Sequence, residues 1–216
     1  MLAAHGTVPH ISFRRTRIAD VETLVGLSRR VYPRSPYEAD TLSSQIHHFP
    51  EGHFVAEVNG DVVAMSACLR LAQDDPPITA AWATATSNGS MVNHDRSGDV
   101  LYSVDTLVSP HFQRAGIARR LLQCRIALGQ RLGISTLRSG ARLIGYRAVS
   151  GEMPAHEYVN QVVAGKRSSP SIELCLKLGF YFRCLVPRYW EEDTDSGGFA
   201  AMLDLPVGRG AGEHRR

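Results

Sequence analysis

Apolar positions along this chain come in short runs that switch between the period of a strand and the period of a helix. Ile11-Ser12-Phe13-Arg14-Arg15 reads as an opening strand. Asp20 then stands as the cap of a helix carrying Val21, Leu24, Val25 and Leu27, which stops at Pro33 because proline restrains the residue before it. Residues 37–48 form a second short helix, with Leu42 and Ile46 one turn apart. Two apolar strands, 54–58 and 62–69, are joined by Asn59-Gly60-Asp61, a strong hairpin signal. Residues 73–100 are polar, and a connection of that length is either functional or a wide hairpin loop.

Residues 101–108 are the next strand, and Ser109-Pro110 turns the chain. Ile117, Leu121, Cys124 and Leu128 then recur at helical spacing, with Leu122 and Ile126 widening the stripe and Arg119, Gln123 and Gln130 opposite. This is an amphipathic helix packed on a sheet, ended by Gly133. Ser135-Thr136-Leu137-Arg138 is a strand, Pro154 opens a helix that includes Tyr158, and residues 171–178 form another. Gly179-Phe180 turns into a strand, and residues 198–205 are the last one.

A length of 216 residues allows one domain with a full core, expected over 11–206. Residues 1–10 have no period and 207–216 are rich in Gly, Arg and His, so a disordered N-terminus and a disordered tail or linker are expected. A net charge of +3 is too small to argue for nucleic acid. No apolar run approaches the roughly 18 residues of a membrane span, and there is no apolar signal core, so a cytoplasmic protein without a membrane partner is expected. Four cysteines without a C-x-x-C pair and nine scattered histidines suggest neither a disulfide framework nor a metal site. Cys68 and Cys124 read as small buried hydrophobes.

The chemistry concentrates at Gln113-Arg114-Ala115-Gly116-Ile117-Ala118. A strand that feeds a Gly-containing loop and then a helix N-terminus suits phosphate: the first helical amides have no partner inside the helix, and the dipole favours negative charge there. Arg114, Arg119 and Arg120 add guanidinium groups that suit phosphate oxygens. This stretch resembles the acyl-CoA pyrophosphate loop of the GNAT acyltransferase superfamily, Q/R-x-x-G-x-G/A, with Gln113, Gly116 and Ala118 at the fixed positions. The order of strands and helices is also that of the GNAT fold: an α/β (α+β) domain with a central, mixed and mostly antiparallel sheet and helices on both faces.

Within the superfamily the chain is most similar to the acetyltransferase domain fused to carbon–nitrogen hydrolases, through Phe49-Pro50-Glu51-Gly52, Gly98-Asp99-Val100-Leu101-Tyr102, Gly140-Ala141-Arg142-Leu143-Ile144-Gly145-Tyr146, Glu157-Tyr158-Val159 and Leu178-Gly179-Phe180. No hydrolase domain is expected within these residues. A second resemblance is to GNAT-like loading domains of polyketide synthases, which implies malonyl-CoA decarboxylation and S-acyl transfer to a carrier protein.

The first resemblance implies transfer from acetyl-CoA, or another acyl-CoA such as malonyl-CoA, to a primary amine by direct attack in a ternary complex. The acceptor would be a small-molecule amine or a carrier protein, and a homodimer is allowed. A CoA-binding module without catalysis is the reading from a different class. The resemblance runs the pantetheine arm along the backbone of Leu107 and Val108 and sets the phosphates on residues 113–119, including Ala115 and Ile117. Asp105 stands where many GNAT enzymes place a Glu on this strand, and burial would raise its pKa toward the range of a useful base. The family's usual acid, a Tyr four residues before the Gly of the Gly-Phe turn, is Cys175 here. Tyr146, His156 and Tyr158 are candidates to replace it, in an insertion of about 30 residues between Ser139 and Ser169 that is expected to cover the acyl end of the site. Arg142 and Arg188 are candidates for a substrate carboxylate. Trp82 and Trp190 are candidates to line a pocket, and residues 191–195 read as a solvated loop.

Overall fold

In the computed structural model, which describes residues 10–208, the apolar runs pair into a seven-stranded sheet. The strands are β1 (Ile11–Arg15), β2 (His53–Val58), β3 (Asp61–Leu71), β4 (Val100–Val108), β5 (Thr136–Arg142), β6 (Tyr181–Val186) and β7 (Ala200–Pro206). Their order is β1-β2-β3-β4-β5-β7-β6, and only β4 and β5 run parallel. The helices are α1 (Val21–Val31), α2 (Ala39–His48), α3 (Trp82–Thr86), α4 (Ile117–Arg131), α5 (Ala155–Val163) and α6 (Pro170–Lys177). Leu24, Leu27, Leu42, Met65, Leu69, Leu107, Leu121 and Leu122 are among the fully buried side chains of the core.

The hairpin signal is met, with Asn59 and Gly60 both at positive φ (54° and 96°) between β2 and β3. Some details differ from the pattern. Asp20 holds the N-cap position of α1 as expected, but its side chain makes no capping bond there; its carboxylate accepts the Arg17 amide at 2.7 Å and the Arg14 guanidinium at 2.7 and 2.9 Å, which ties β1 to the turn before the helix. Tyr37 lies outside α2 because its amide donates to Ser28 Oγ. The polar segment holds the short α3, anchored by the Trp82 amide on Tyr189 O (2.8 Å). The last strand starts at Ala200, since Gly197 and Gly198 at positive φ form the turn ahead of it. The expected loose ends lie outside the described residues apart from His10, Val207 and Gly208; Val207 donates its amide to Ser135 O at 3.0 Å.

One irregularity shapes everything that follows. Ala67 pairs with Asp105 and Cys68 with Ser103, so Val104 is a bulge in β4. On the other side, β4 pairs with β5 only from Val100↔Thr136 to Ser103↔Ser139. Beyond the bulge the two strands part, while β5 stays paired to β7 as far as Arg142. The backbone edge of residues 104–108 therefore faces a cleft. Asp105 bonds Tyr32 at the end of α1, and Thr106 bonds Arg125 of α4. Successive strand residues point to opposite faces, so α1 and α4 cover opposite sides of the sheet.

A buried histidine ties β2 to α2. His53 lies between Thr16 Oγ1 (2.7 Å) and Gln45 Oε1 (3.0 Å), and burial pushes its pKa from 6.5 down to about 4. The depressed value means that its contribution is complete above pH 6.5 and is lost as pH falls through about 4. Urea unfolding should show about 3 kcal/mol lost from this group across that window, against little change for His53→Gln. A wild-type stability that stays flat from pH 7 to pH 5 would contradict this.

Candidate active site

The loop after β4 leaves a run of backbone amides free. Ser109-Pro110 starts a short 3-10 turn, and Arg114 and Gly116 both adopt positive φ (63° and 78°) before α4 begins. Among the described residues, the amides of 114–119 donate to no protein group; the next backbone bond is Arg120 N–H to Gly116 O at 3.1 Å. A Cβ built on Gly116 would meet nothing within 4 Å, so the space in front of these amides is open. Gln113, Arg114, Ala115, Arg119 and Arg120 are exposed around it, and Ala118 is half-buried. Ile117 contributes only its amide, because its side chain is in the core. The residues present fit a pyrophosphate: six free amides, a full-length helix dipole and three guanidinium groups.

From this loop the free edge of β4 leads into a cavity of about 330 Å3. Leu107 is fully buried by its side chain and Val108 half-buried, so both offer backbone alone. The walls come from residues 103–106 of β4, residues 139–142 of β5, Leu122 and Arg125 of α4, and Leu174 and Cys175 of α6. Tyr32, Tyr37, Trp82, Tyr189 and Trp190 make one side aromatic. Gly140 has no side chain because Tyr189 lies directly on it; any Cβ there would collide with the phenol ring.

Asp105 lies in this cavity. Its carboxylate accepts the hydroxyls of Tyr32 and Tyr37, each at 3.1 Å, and the Thr106 amide at 2.7 Å. Burial raises its pKa, and the three donors and the Arg142 charge only partly oppose that. Trp82 Nε1 donates to the bulge carbonyl of Val104 at 2.9 Å, which fixes the indole against the cleft. The tyrosines and their partner were not legible as a set, since about 70 residues of chain separate Asp105 from each of them.

The remaining candidates divide. Cys175 does face the cavity, but burial pushes its thiol further up, which makes it a poor donor to a leaving thiolate. Arg142 faces the cavity too, yet its guanidinium is engaged bidentately by Asp193 and lies 5.0 Å over Trp190 and 5.8 Å over Tyr32. It is therefore a buttress of the aromatic wall rather than a free cation. Asp193 is correspondingly buried, while the other residues of 191–195 are exposed as expected of a solvated loop.

Tyr146, His156, Tyr158 and Arg188 are absent from the cavity wall. Tyr146 donates to Met153 O at 3.1 Å and Tyr158 to Ile144 O at 2.7 Å, so both hydroxyls hold the insertion together. His156 and Arg188 are exposed. The insertion does not roof the acyl end. β5 runs on to Arg142, and of residues 143–169 only Ile144 touches the cavity. The apolar face of α5 packs on α6 and β6 instead.

Sequence reasoning missed Arg125. It is 4% exposed, lines the cavity and donates from Nη2 to Thr106 Oγ1 at 2.8 Å. Its position was readable: it falls four residues after Leu121 and three before Leu128, inside the apolar stripe that had been given to Cys124, which is only half-buried.

The sequence model of the Acetyltransferase (GNAT) family matches residues 20–143, more than half the chain. The chain belongs to the GNAT acetyltransferase family. It is 32% identical over 200 residues to the uncharacterized N-acetyltransferase YkwB of Bacillus subtilis (strain 168), covering 90% of this chain and 88% of that one. It is 30% identical over 186 residues to the probable hydrolase YhcX of the same organism, covering 86% of this chain but only 36% of that longer protein. Among solved structures, the GphF GNAT-like decarboxylase in complex with isobutyryl-CoA superposes with a TM-score of 0.79 at 22% identity, covering 91% of this chain and 99% of that one. The loading GNATL domain of CurA from Lyngbya majuscula gives 0.80 at 18% identity, with 92% and 98% covered. At these identities the superpositions show the fold.

As a GNAT protein the chain is an acyl-CoA-dependent enzyme of the acetyltransferase type. Among the described residues, no helix is long and apolar enough to cross a membrane, and no group of three or more His, Cys, Asp or Glu side chains is arranged to hold a metal.

Proposed function

We propose that the enzyme transfers the acyl group of acetyl-CoA or another acyl-CoA to a primary amine, with Asp105 as the base. The observation that carries this reading is the placing of Asp105: a carboxylate with a raised pKa in an aromatic-walled cavity, beside the free edge of β4 and in line with the amide-lined loop. Aromatic faces and a carboxylate suit an incoming ammonium group. Residues 114–119 hold the CoA phosphates through their amides, and the 104–108 edge offers backbone to the pantetheine arm.

Asp105 takes one proton from the bound ammonium. The neutral nitrogen then forms the bond to the acyl carbon as the carbon–sulfur bond breaks. The second proton released by nitrogen goes to the CoA thiolate, so the reaction balances without a separate side-chain acid. That accounts for Cys175 at the position where the family has Tyr: a wall residue suffices there. Tyr32 and Tyr37 orient Asp105, and Arg142 with Asp193 keeps Tyr32 and Trp190 in place.

CoA release should be measured with acetyl- and other short acyl-CoAs against a panel of primary amines, alongside carbon dioxide release from malonyl-CoA. Amine-dependent CoA release is expected. Carbon dioxide release without any amine would replace this reading with that of a decarboxylating loading domain, and tight CoA binding without either activity would make the chain a binding module.

A further inference from the structure

Among the described residues, Arg125 is the buried arginine that has no ion-pair partner. Arg138 is bidentate on Asp204 at 2.9 and 3.0 Å, and Arg142 is bidentate on Asp193. Arg125 takes part in none of the ion pairs of the described residues. Of its donors, Nη2 reaches Thr106 Oγ1, while Nε and Nη1 have no partner at all. A buried guanidinium without a counter-charge is costly, and leaving its N–H groups unbonded adds to that cost. Arg125 borders the active-site cavity, and its two unpartnered nitrogens lie just beneath the wall.

We propose that Arg125 receives the carboxylate of a short dicarboxylic acyl group, so that the preferred donor is an acyl-CoA of the malonyl or succinyl class, transferred with its carboxylate intact. This rests on the reading that the cleft holds the acyl end of the donor. The placing favours the donor over the acceptor as the source of the carboxylate. Arg125 is held by Thr106, on the free-edge segment of β4, whereas Asp105 and its tyrosines lie on the opposite face of the same strand. An ammonium group at Asp105 and a carboxylate at Arg125 therefore approach the parting of β4 and β5 from opposite sides. A cavity of about 330 Å3 has room for an acyl group of this size with an amine.

The guanidinium also decides the fate of the carboxylate. Loss of carbon dioxide from a malonyl thioester would move the carboxylate's electron pair toward the carbonyl. A cation bonded to the carboxylate stabilises the ground state and opposes that movement. In the proposed transfer the bond to nitrogen forms, the carbon–sulfur bond breaks, and the distal carboxylate is unchanged.

Isothermal titration of the full chain tests this without any amine. The probes are CoA, malonyl-CoA and succinyl-CoA, and the uncharged analogues of matching shape, isovaleryl-CoA and isocaproyl-CoA. One of the two carboxylated donors should bind about 10- to 100-fold more tightly than its analogue, as charge-assisted hydrogen bonds imply. Arg125→Met should erase that preference and leave the affinity for CoA itself unchanged. Arg125→Met removes an uncompensated buried charge, so it is expected to fold; Arg125→Lys, which keeps the charge and part of the preference, provides the second variant. Equal binding of carboxylated and uncharged donors by the wild type overturns the proposal, as does a preference that survives in Arg125→Met. Carbon dioxide release from malonyl-CoA overturns retention of the carboxylate. If Arg125→Met instead raises KM for an α-amino acid over the matching amine and leaves the donors alone, the carboxylate belongs to the acceptor and the donor assignment falls. Failure of the amine panel would leave these binding results standing, so the two readings fail separately.

Discussion

Asp105→Asn is expected to lower kcat by about 10²- to 10⁴-fold, the range for removing a positioned general base. Asparagine keeps an oxygen for the Tyr32 hydroxyl and the Thr106 amide, and its NH2 group donates to the Tyr37 hydroxyl oxygen, so the shape of the cavity survives while the proton acceptor is lost. The wild-type rate should fall on the acid side at a pH above the ordinary carboxylate value of about 3.9, because burial raises this group. That limb should vanish in Asp105→Asn. In Tyr32→Phe and Tyr37→Phe it should move further up, since each variant removes a hydrogen bond that favours the charged form.

Stability should move the other way. The folded state holds the Asp105 proton more tightly than the unfolded chain, so this group costs stability as pH rises from the ordinary carboxylate value through the raised one. Asp105→Asn escapes that cost and should melt no lower than wild type at neutral pH. Full activity with an unchanged pH profile in Asp105→Asn would remove the residue as base.

Gly116→Glu is expected to weaken CoA and acyl-CoA binding by at least about 100-fold while leaving the fold intact. The substitution meets no steric obstacle inside the protein, because nothing lies within 4 Å of the new Cβ. Its backbone cost at φ 78° is of the order of 1–2 kcal/mol. What it changes is the occupant of the loop: a tethered carboxylate now sits against the free amides of 114–119, where the helix dipole stabilises it, and its charge repels a second anion. Gly116→Ala carries the same backbone strain without the charge, and should keep affinity within a few-fold. Titration of CoA against both variants, with circular dichroism to check the fold, separates the two effects. Equal losses in both would mean that strain, and not anion competition, governs the loop.

The parts of this protein that were legible early are those that depend on neighbouring residues. Asn59-Gly60 announced a hairpin because both residues tolerate positive φ. Gln113 to Ala118 announced an anion site because a strand, a glycine and a helix start follow one another within a few residues. Asp105 was a candidate because it stands where the resemblance places a Glu on this strand. Misplaced candidates share the opposite property. Tyr146 and Tyr158 looked chemical because phenols are, but a hydroxyl spent on Met153 O or Ile144 O has no chemistry left to offer. Arg142 looked like a free cation until Asp193, 51 residues away, was found against it.

Local order along the chain thus settled the strands, the helices, the loop with its free amides and the family, because periodicity, turn chemistry and helix ends act over a few residues. The cleft was decided only in three dimensions. It exists because Val104 bulges and β4 leaves β5 after Ser103, a matter of pairing between distant strands. The contents of the cleft follow from the same cause. Tyr32, Tyr37, Asp105, Arg125 and Trp190 come from four separate stretches of chain, and which of them is paired, propped or left charged depends on packing that brings those stretches together.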